Sequence, residues 1–205
     1  YSGPAYQPIN GFLRSIGQLS GEYRDALAKD PRFTFMATVA HLCHAIRKLA
    51  AVTSPAEAAK PLYRGVRGEL PRTFWVIDDQ GMVCAVETAF MSTSRNRETP
   101  IAYMGDGMNV LWELKSRTQS DAAFHRGADI SMLSQFAAED ECLFPPCTML
   151  EVLPDKEPAT EAAQAQTRAR SKSTPLLATQ LGLAVAEETE QGKTFMSIRA
   201  MPSFI

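Results

Sequence analysis

Cysteine is scarce in this chain: four residues, Cys43, Cys84, Cys142 and Cys147, among 205, and no CxxC pair. That excludes a disulfide-built scaffold. The three histidines, His41, His44 and His125, combine with those cysteines at no spacing that reads as a closed zinc site. Neither a GxGxxG fingerprint nor a Walker loop is present, so a phosphate-bearing ligand needs another grip. No apolar run approaches the roughly 20 residues of a membrane helix. Charge of one sign is also missing. The net charge of −2 gives no global field to attract nucleic acid or an anionic membrane. No signal-peptide pattern is visible, which carries little weight in a chain that begins at Tyr1. The compartment stays open, and the unpaired cysteines lean toward a reducing, cytoplasmic one.

What is there is ordinary globular material, 45% hydrophobic and 21% charged, enough for one sizeable core or two small ones. Residues 1–59 read as helical. Asn10 can cap a segment with Phe12, Leu13, Ile16 and Leu19 on one face. Ser20 can start another, carrying Tyr23, Ala26 and Leu27. Asp30-Pro31 signals a third start, and Met36, Val39, Ala40, Cys43, Ile46 and Ala50 follow at helical period. Ser54-Pro55 opens a last short turn.

From residue 60 to 205 the character is β. Strands are expected at Leu62–Val66, Thr73–Ile77, Ala89–Ser94, Asn109–Leu114, Glu141–Phe144 and Thr148–Leu153, with helical stretches at Val83–Thr88 and Arg97–Tyr103. Residues 155–173 are polar and alanine-rich and read as an exposed, mobile insertion. Leu181–Glu187 and Lys193–Ala200 form a closing hairpin about Gln191-Gly192. Helices first and strands later argue for an α+β fold in a single catalytic-size domain rather than a parallel βαβ sheet.

Three fragments carry chemistry. In Leu62-Tyr63-Arg64-Gly65, a strand arginine can clamp a diphosphate and the glycine can let a ligand approach the backbone; the plain alternative is a surface arginine before a bend. In Phe90-Met91-Ser92-Thr93-Ser94, alternation sends Ser92 and Ser94 to one face, where two hydroxyls can orient a carboxylate or bind an amide; the alternative is a polar edge strand. In Glu139-Asp140-Glu141, both glutamates project to one side if the strand has begun. A carboxylate pair there suits chemistry at a sugar carbon, one steadying positive charge and one handling a proton. The alternative is an acidic loop before a buried strand. Taken together, an anion clamp, a hydroxyl pair and a carboxylate pair fit a substrate with a diphosphate, a sugar and a departing leaving group. NAD is such a molecule.

In that order the fragments resemble the mono-ADP-ribosyltransferases of the arginine-serine-glutamate class, which include arginine-specific transferases and related toxins. The stretches that carry the resemblance are Tyr63-Arg64-Gly65, Phe90 to Ser94, and Gly127 to Ser131 running into Glu139-Asp140-Glu141-Cys142-Leu143-Phe144-Pro145-Pro146. The resemblance implies two packed, roughly perpendicular β-sheets with helices on the N-terminal side. It implies that NAD is the co-substrate and that no metal is needed. Arg64 would hold the NAD phosphates and the Gly65 backbone would meet the nicotinamide amide. Ser92 would bond the catalytic Glu141, which would bind the ribose hydroxyl and stabilise the oxocarbenium-like transition state. Glu139 would engage the guanidinium of an acceptor protein, and residues 129–138 would be the acceptor-recognition loop. Thr93, Ser94 and Phe136 complete the expected NAD-binding set.

Tyr103, Trp112 and Phe136 can each stack on nicotinamide or adenine; core packing is the simpler reading for Tyr103 and Trp112. Two other functions use the same cleft: an NAD glycohydrolase with water as acceptor, and a non-catalytic NAD-binding module.

Overall fold

The computed structural model describes residues 3–16, 25, 29, 35–116, 126–155, 178 and 181–204. The expected Ser20 helix, the Asp30-Pro31 start, His125 and all but the first residue of the polar insertion lie outside the described residues.

Four helices are described: α1 (Tyr6–Ser15), α2 (Met36–Val52), α3 (Pro55–Ala58) and α4 (Glu98–Ala102). Nine strands follow or interleave: β1 (Leu62–Arg67), β2 (Cys84–Glu87), β3 (Met91–Ser94), β4 (Asn109–Leu114), β5 (Ala128–Asp129), β6 (Glu141–Phe144), β7 (Thr148–Val152), β8 (Val185–Glu190) and β9 (Lys193–Phe204). They pair in the order β2-β7-β9-β4-β1-β3-β6-β5, with β8 also on β9. The pairing is antiparallel throughout except for β4 with β9. This is the expected α+β fold. Its two strand groups form one hydrogen-bonded path, joined between β1 and β3 at the single pair Tyr63↔Ser94.

Side-chain alternation along β6 explains the layering. Cys142 and Phe144 face one buried cluster with Met91, Trp112, Leu150 and Ile198. Leu143 faces a second cluster, with Phe90, Ala128 and Ile130, covered by Ile9 and Leu13 of α1 and Ile46 of α2. Phe90 and Phe144 are fully buried, each contributing about 1.5–3 kcal/mol of hydrophobic stabilisation. Gln191 and Gly192 both take positive φ, 51° and 73°, as a tight hairpin turn between β8 and β9 requires. Arg97 pairs with Glu188 and Glu190 and so ties that hairpin to the start of α4.

Five expectations need correction. α1 begins at Tyr6, so Asn10 lies inside the helix rather than capping it. Its buried amide instead meets the Phe90 backbone, accepting from the Phe90 N–H at 3.2 Å and donating to the Phe90 carbonyl at 3.3 Å. Ile16, expected on one apolar face with Phe12 and Leu13, is exposed. Thr73–Ile77 is not a strand: Arg72–Trp75 form a 3₁₀ turn that buries Phe74 and Trp75, and Val76 and Ile77 are exposed. The stretch expected as helix at Val83–Thr88 holds β2, because Cys84 to Glu87 pair residue for residue with Glu151 to Thr148. Tertiary pairing overrides local propensity in a segment this short. On α2, Met36 and Ala40 are exposed, and the inward stripe is Val39, Leu42, Cys43, Ile46, Leu49 and Ala50.

Candidate active site

Where β1, β3 and the start of β6 meet under α1 and α4, the fold leaves a cavity of about 520 Å³, inside the range of roughly 300–1,000 Å³ usual for small-ligand pockets. Arg64, Gly65, Ser92, Thr93, Ser94, Phe136, Glu139 and Glu141 all line it. Every site residue expected from the sequence is therefore in one place.

Strand pairing builds the centre. β3 and β6 run antiparallel with Ser92 opposite Leu143 and Ser94 opposite Glu141. The Ser92 hydroxyl donates to Glu141 Oε1 at 2.7 Å. From β1, Arg64 Nη1 donates to the Ser92 carbonyl at 2.9 Å. Arg64, Ser92 and Glu141 thus form a continuous hydrogen-bonded chain. Glu141 is only 7% exposed, and its Oε2 lies 3.4 Å from the Ser134 hydroxyl.

Glu139 arrives differently. The 3₁₀ turn Ala137–Glu139 precedes Asp140, whose φ is +47°, and the strand starts only at Glu141. The two glutamates share the cavity through this turn, not through strand alternation. The Ser94 hydroxyl donates to the Glu139 carbonyl at 2.5 Å and accepts from the Asn96 N–H at 2.9 Å. The Thr93 hydroxyl donates to the Cys142 carbonyl at 2.6 Å. These two hydroxyls hold backbone, which leaves Ser92 as the hydroxyl of the trio bonded to a carboxylate.

The aromatic candidates divide. Trp112 is buried, edge-to-face with Phe74 at 5.7 Å between ring centroids, as core packing requires. Tyr103 is not a core residue: it is 60% exposed, lines the cavity, and donates its hydroxyl to Glu139 Oε1 at 2.6 Å. That hydrogen bond, then the Glu139 charge, push the phenol above its ordinary pKa and keep it protonated. Phe136 is half-exposed and lines the same cavity.

Gly65 has a reason beyond ligand access. A Cβ there would come within 2.8 Å of the Pro100 carbonyl oxygen, so α4 can pack against β1 only across a glycine.

Sequence reasoning missed the contribution of α1. Tyr6, Asn10 and Arg14, spaced one helical turn apart, line the cavity. A polar helix face ordinarily reads as solvent-facing, so only the i, i+4, i+8 spacing was available as a signal. Arg14 Nη2 and Arg64 Nη2 both meet Glu87 Oε2, at 3.0 and 3.1 Å. Burial alone would raise the Glu87 carboxyl. The Arg14 hydrogen bond, the Arg64 charge and the Ala89 N–H outweigh burial and hold it below its ordinary value. Glu87 thereby aligns two guanidinium groups at one wall of the cavity, a geometry suited to a diphosphate. Among the described residues no three His, Cys, Asp or Glu side chains gather as a metal site, and no helix is long and apolar enough to cross a membrane.

The family described as NAD:arginine ADP-ribosyltransferase matches residues 1–173. No curated protein gives a significant match. Among solved structures, the chain is similar to the ADP-ribosyltransferase HopU1 of Pseudomonas syringae pv. tomato, at 23% identity and TM-score 0.55 over 96% of this chain and 65% of that one. It is similar to the catalytic domain of VsdC from Aeromonas hydrophila, at 18% identity and TM-score 0.50 over 98% of this chain and 95% of that one. It is also similar to Plx2a, an ADP-ribosyltransferase toxin from Paenibacillus larvae, at 14% identity and TM-score 0.50 over 96% and 79%. The chain spans just under two thirds of the HopU1 length. At these identities the likeness is one of fold.

Proposed function

The chain belongs to the NAD:arginine ADP-ribosyltransferase family, and we propose that it is an NAD-dependent mono-ADP-ribosyltransferase that moves ADP-ribose from NAD to an arginine of an acceptor protein. The observation that carries this reading is the Arg64–Ser92–Glu141 chain of hydrogen bonds, with Glu139 in the same cavity.

Arg64, with Arg14 beside it, clamps the diphosphate. Ser92 fixes the Glu141 carboxylate against the ribose. The bond between ribose C1′ and the nicotinamide nitrogen breaks, its electron pair leaves with the nicotinamide, and positive charge develops on the ribose. A fixed carboxylate stabilises that charge more than it stabilises bound NAD, which is the condition for faster chemistry. A guanidinium nitrogen of the acceptor then bonds C1′, and Glu139 takes the proton it loses, since a protonated guanidinium is a poor nucleophile. Tyr103 holds Glu139 by donating to Oε1. The arginine preference is supported by a glutamate placed beside the proposed catalytic one and outside the strand, where an incoming side chain can reach it.

Nicotinamide release from NAD tests the chemistry. Glu141→Gln is expected to slow it about a hundredfold or more, equivalent to ~3 kcal/mol of transition-state stabilisation, at near-unchanged NAD affinity. Wild-type turnover in that variant would overturn the role given to Glu141.

A further inference from the structure

Glu141 is held by the sheet. Its partner across the ladder is Ser94, and the Ser92 hydroxyl fixes its carboxylate. Glu139 has no ladder partner, because it sits on the turn before β6; the Ser94 hydroxyl holds its carbonyl and the Tyr103 hydroxyl its carboxylate. Whether the chain brings it to those partners depends on how the loop from Ile130 to Asp140 is framed.

One residue meets both ends of that loop. Arg95 follows directly after β3, and its side chain is only 13% exposed. Its Nη1 pairs with Asp129 Oδ2 at 2.6 Å, where the loop leaves β5. Its backbone N–H donates to the Asp140 carbonyl at 3.2 Å, where the loop enters β6. Asp129 passes the restraint inward. Its Oδ1 accepts from the Ser131 N–H at 2.9 Å and from the Ser131 hydroxyl at 2.6 Å, fixing the loop's first turn. The Ile130 carbonyl accepts from the Leu133 and Ser134 N–H groups within the same turn. On the other side, Arg95 Nη2 lies 3.8 Å from Glu57 Oε2 of α3, so the N-terminal helical part contributes to the frame. Arg95 does not line the cavity.

We infer that Arg95 is a positioning residue for the acceptor side of the reaction: it frames the loop that carries Glu139, whereas Glu141 is held mainly by its ladder pairing and the 2.7 Å Ser92 bond, the loop reaching it at the longer 3.4 Å Ser134 contact. The inference rests on the arginine-transfer reading above. It divides the chemistry into two separable parts. Cleavage of NAD depends on the sheet-held Glu141. Capture of the acceptor depends on the loop-held Glu139, where a displacement of an ångström can cost as much as about a hundredfold in rate.

The test compares wild type with Arg95→Met, Arg95→Lys and Asp129→Asn. Each is assayed for nicotinamide release from NAD without acceptor and for ADP-ribosylation of agmatine. For Arg95→Met the expected result is acceptor-independent nicotinamide release within about twofold of wild type, with kcat/KM for agmatine down about tenfold or more. Arg95→Lys should recover part of the loss, because an ammonium can still meet Asp129. Asp129→Asn should move transfer in the same direction as Arg95→Met, and it serves if Arg95→Met does not fold. A parallel fall of both activities, or an unchanged ratio of transfer to release, would overturn the inference. A wild type that releases nicotinamide but never modifies agmatine would instead overturn the arginine-transfer reading beneath it.

Discussion

The Tyr103 hydroxyl and the Glu139 carboxylate meet at 2.6 Å on the cavity wall, linking α4 to the turn before β6. Neither residue is in regular strand, and neither lies near the other in sequence. Glu139 is thus oriented by a partner that the sequence pattern did not assign to it.

Tyr103→Phe keeps the ring and deletes this bond. A neutral-to-charged hydrogen bond is worth about 1.5–3 kcal/mol, so transfer to an arginine analogue is expected to fall about tenfold or more. Nicotinamide release should fall less. Steady-state kcat/KM for agmatine, beside nicotinamide release, reads both.

The Glu87 carboxylate predicts a pH effect on stability. Its native pKa lies below the ordinary 4.5, so its ion pairs with Arg14 and Arg64 contribute fully above that value. The contribution is lost as pH falls below 4.5 and through the lowered native value. Glu87→Gln should therefore melt below wild type at pH 7, and the gap should close toward pH 3. Thermal unfolding across that range checks it; a gap independent of pH would contradict the ion-pair account.

Asn10 acts as a backbone surrogate for Phe90 through two hydrogen bonds in a buried setting. Asn10→Ala is expected to cost about 1–3 kcal/mol of stability, read by denaturant unfolding. The same substitution loosens α1 over the cavity, so NAD affinity should fall as well.

Gly65→Ala places a methyl 2.8 Å from the Pro100 carbonyl oxygen, a backbone atom that cannot turn away. A cost of about 1–3 kcal/mol is expected from overpacking, together with weaker NAD binding as α4 shifts. Unfolding midpoints and NAD titration measure the two effects.

The residues of the candidate site were more legible in the sequence than the elements around them. Asn109–Leu114 and Glu141–Phe144 match their expected strands, because both are runs of β-formers bounded by clear turns. Arg64, Ser92, Glu139 and Glu141 reach one cavity, as their order along successive strands suggested. Other features were decided by contacts far apart in sequence. β2 exists because β7 pairs with it. Asn10 is buried because the Phe90 backbone needs its amide. Arg14 joins Arg64 only through Glu87. Single-sequence periodicity carries none of these partners. The glutamate pair was placed in one site for a reason that did not hold: a positive-φ residue at Asp140 breaks the alternation, and the 3₁₀ turn restores the proximity.

The central claim is that Glu141 drives NAD cleavage and Glu139 directs the product to a guanidinium. The most direct measurement is the mass of agmatine after incubation with NAD and either wild type or Glu139→Gln, with nicotinamide quantified in the same reactions. The account predicts ADP-ribosylated agmatine from wild type, and from Glu139→Gln a loss of that product at least about tenfold greater than the loss of nicotinamide release. Nicotinamide release by wild type with agmatine left unmodified would contradict it.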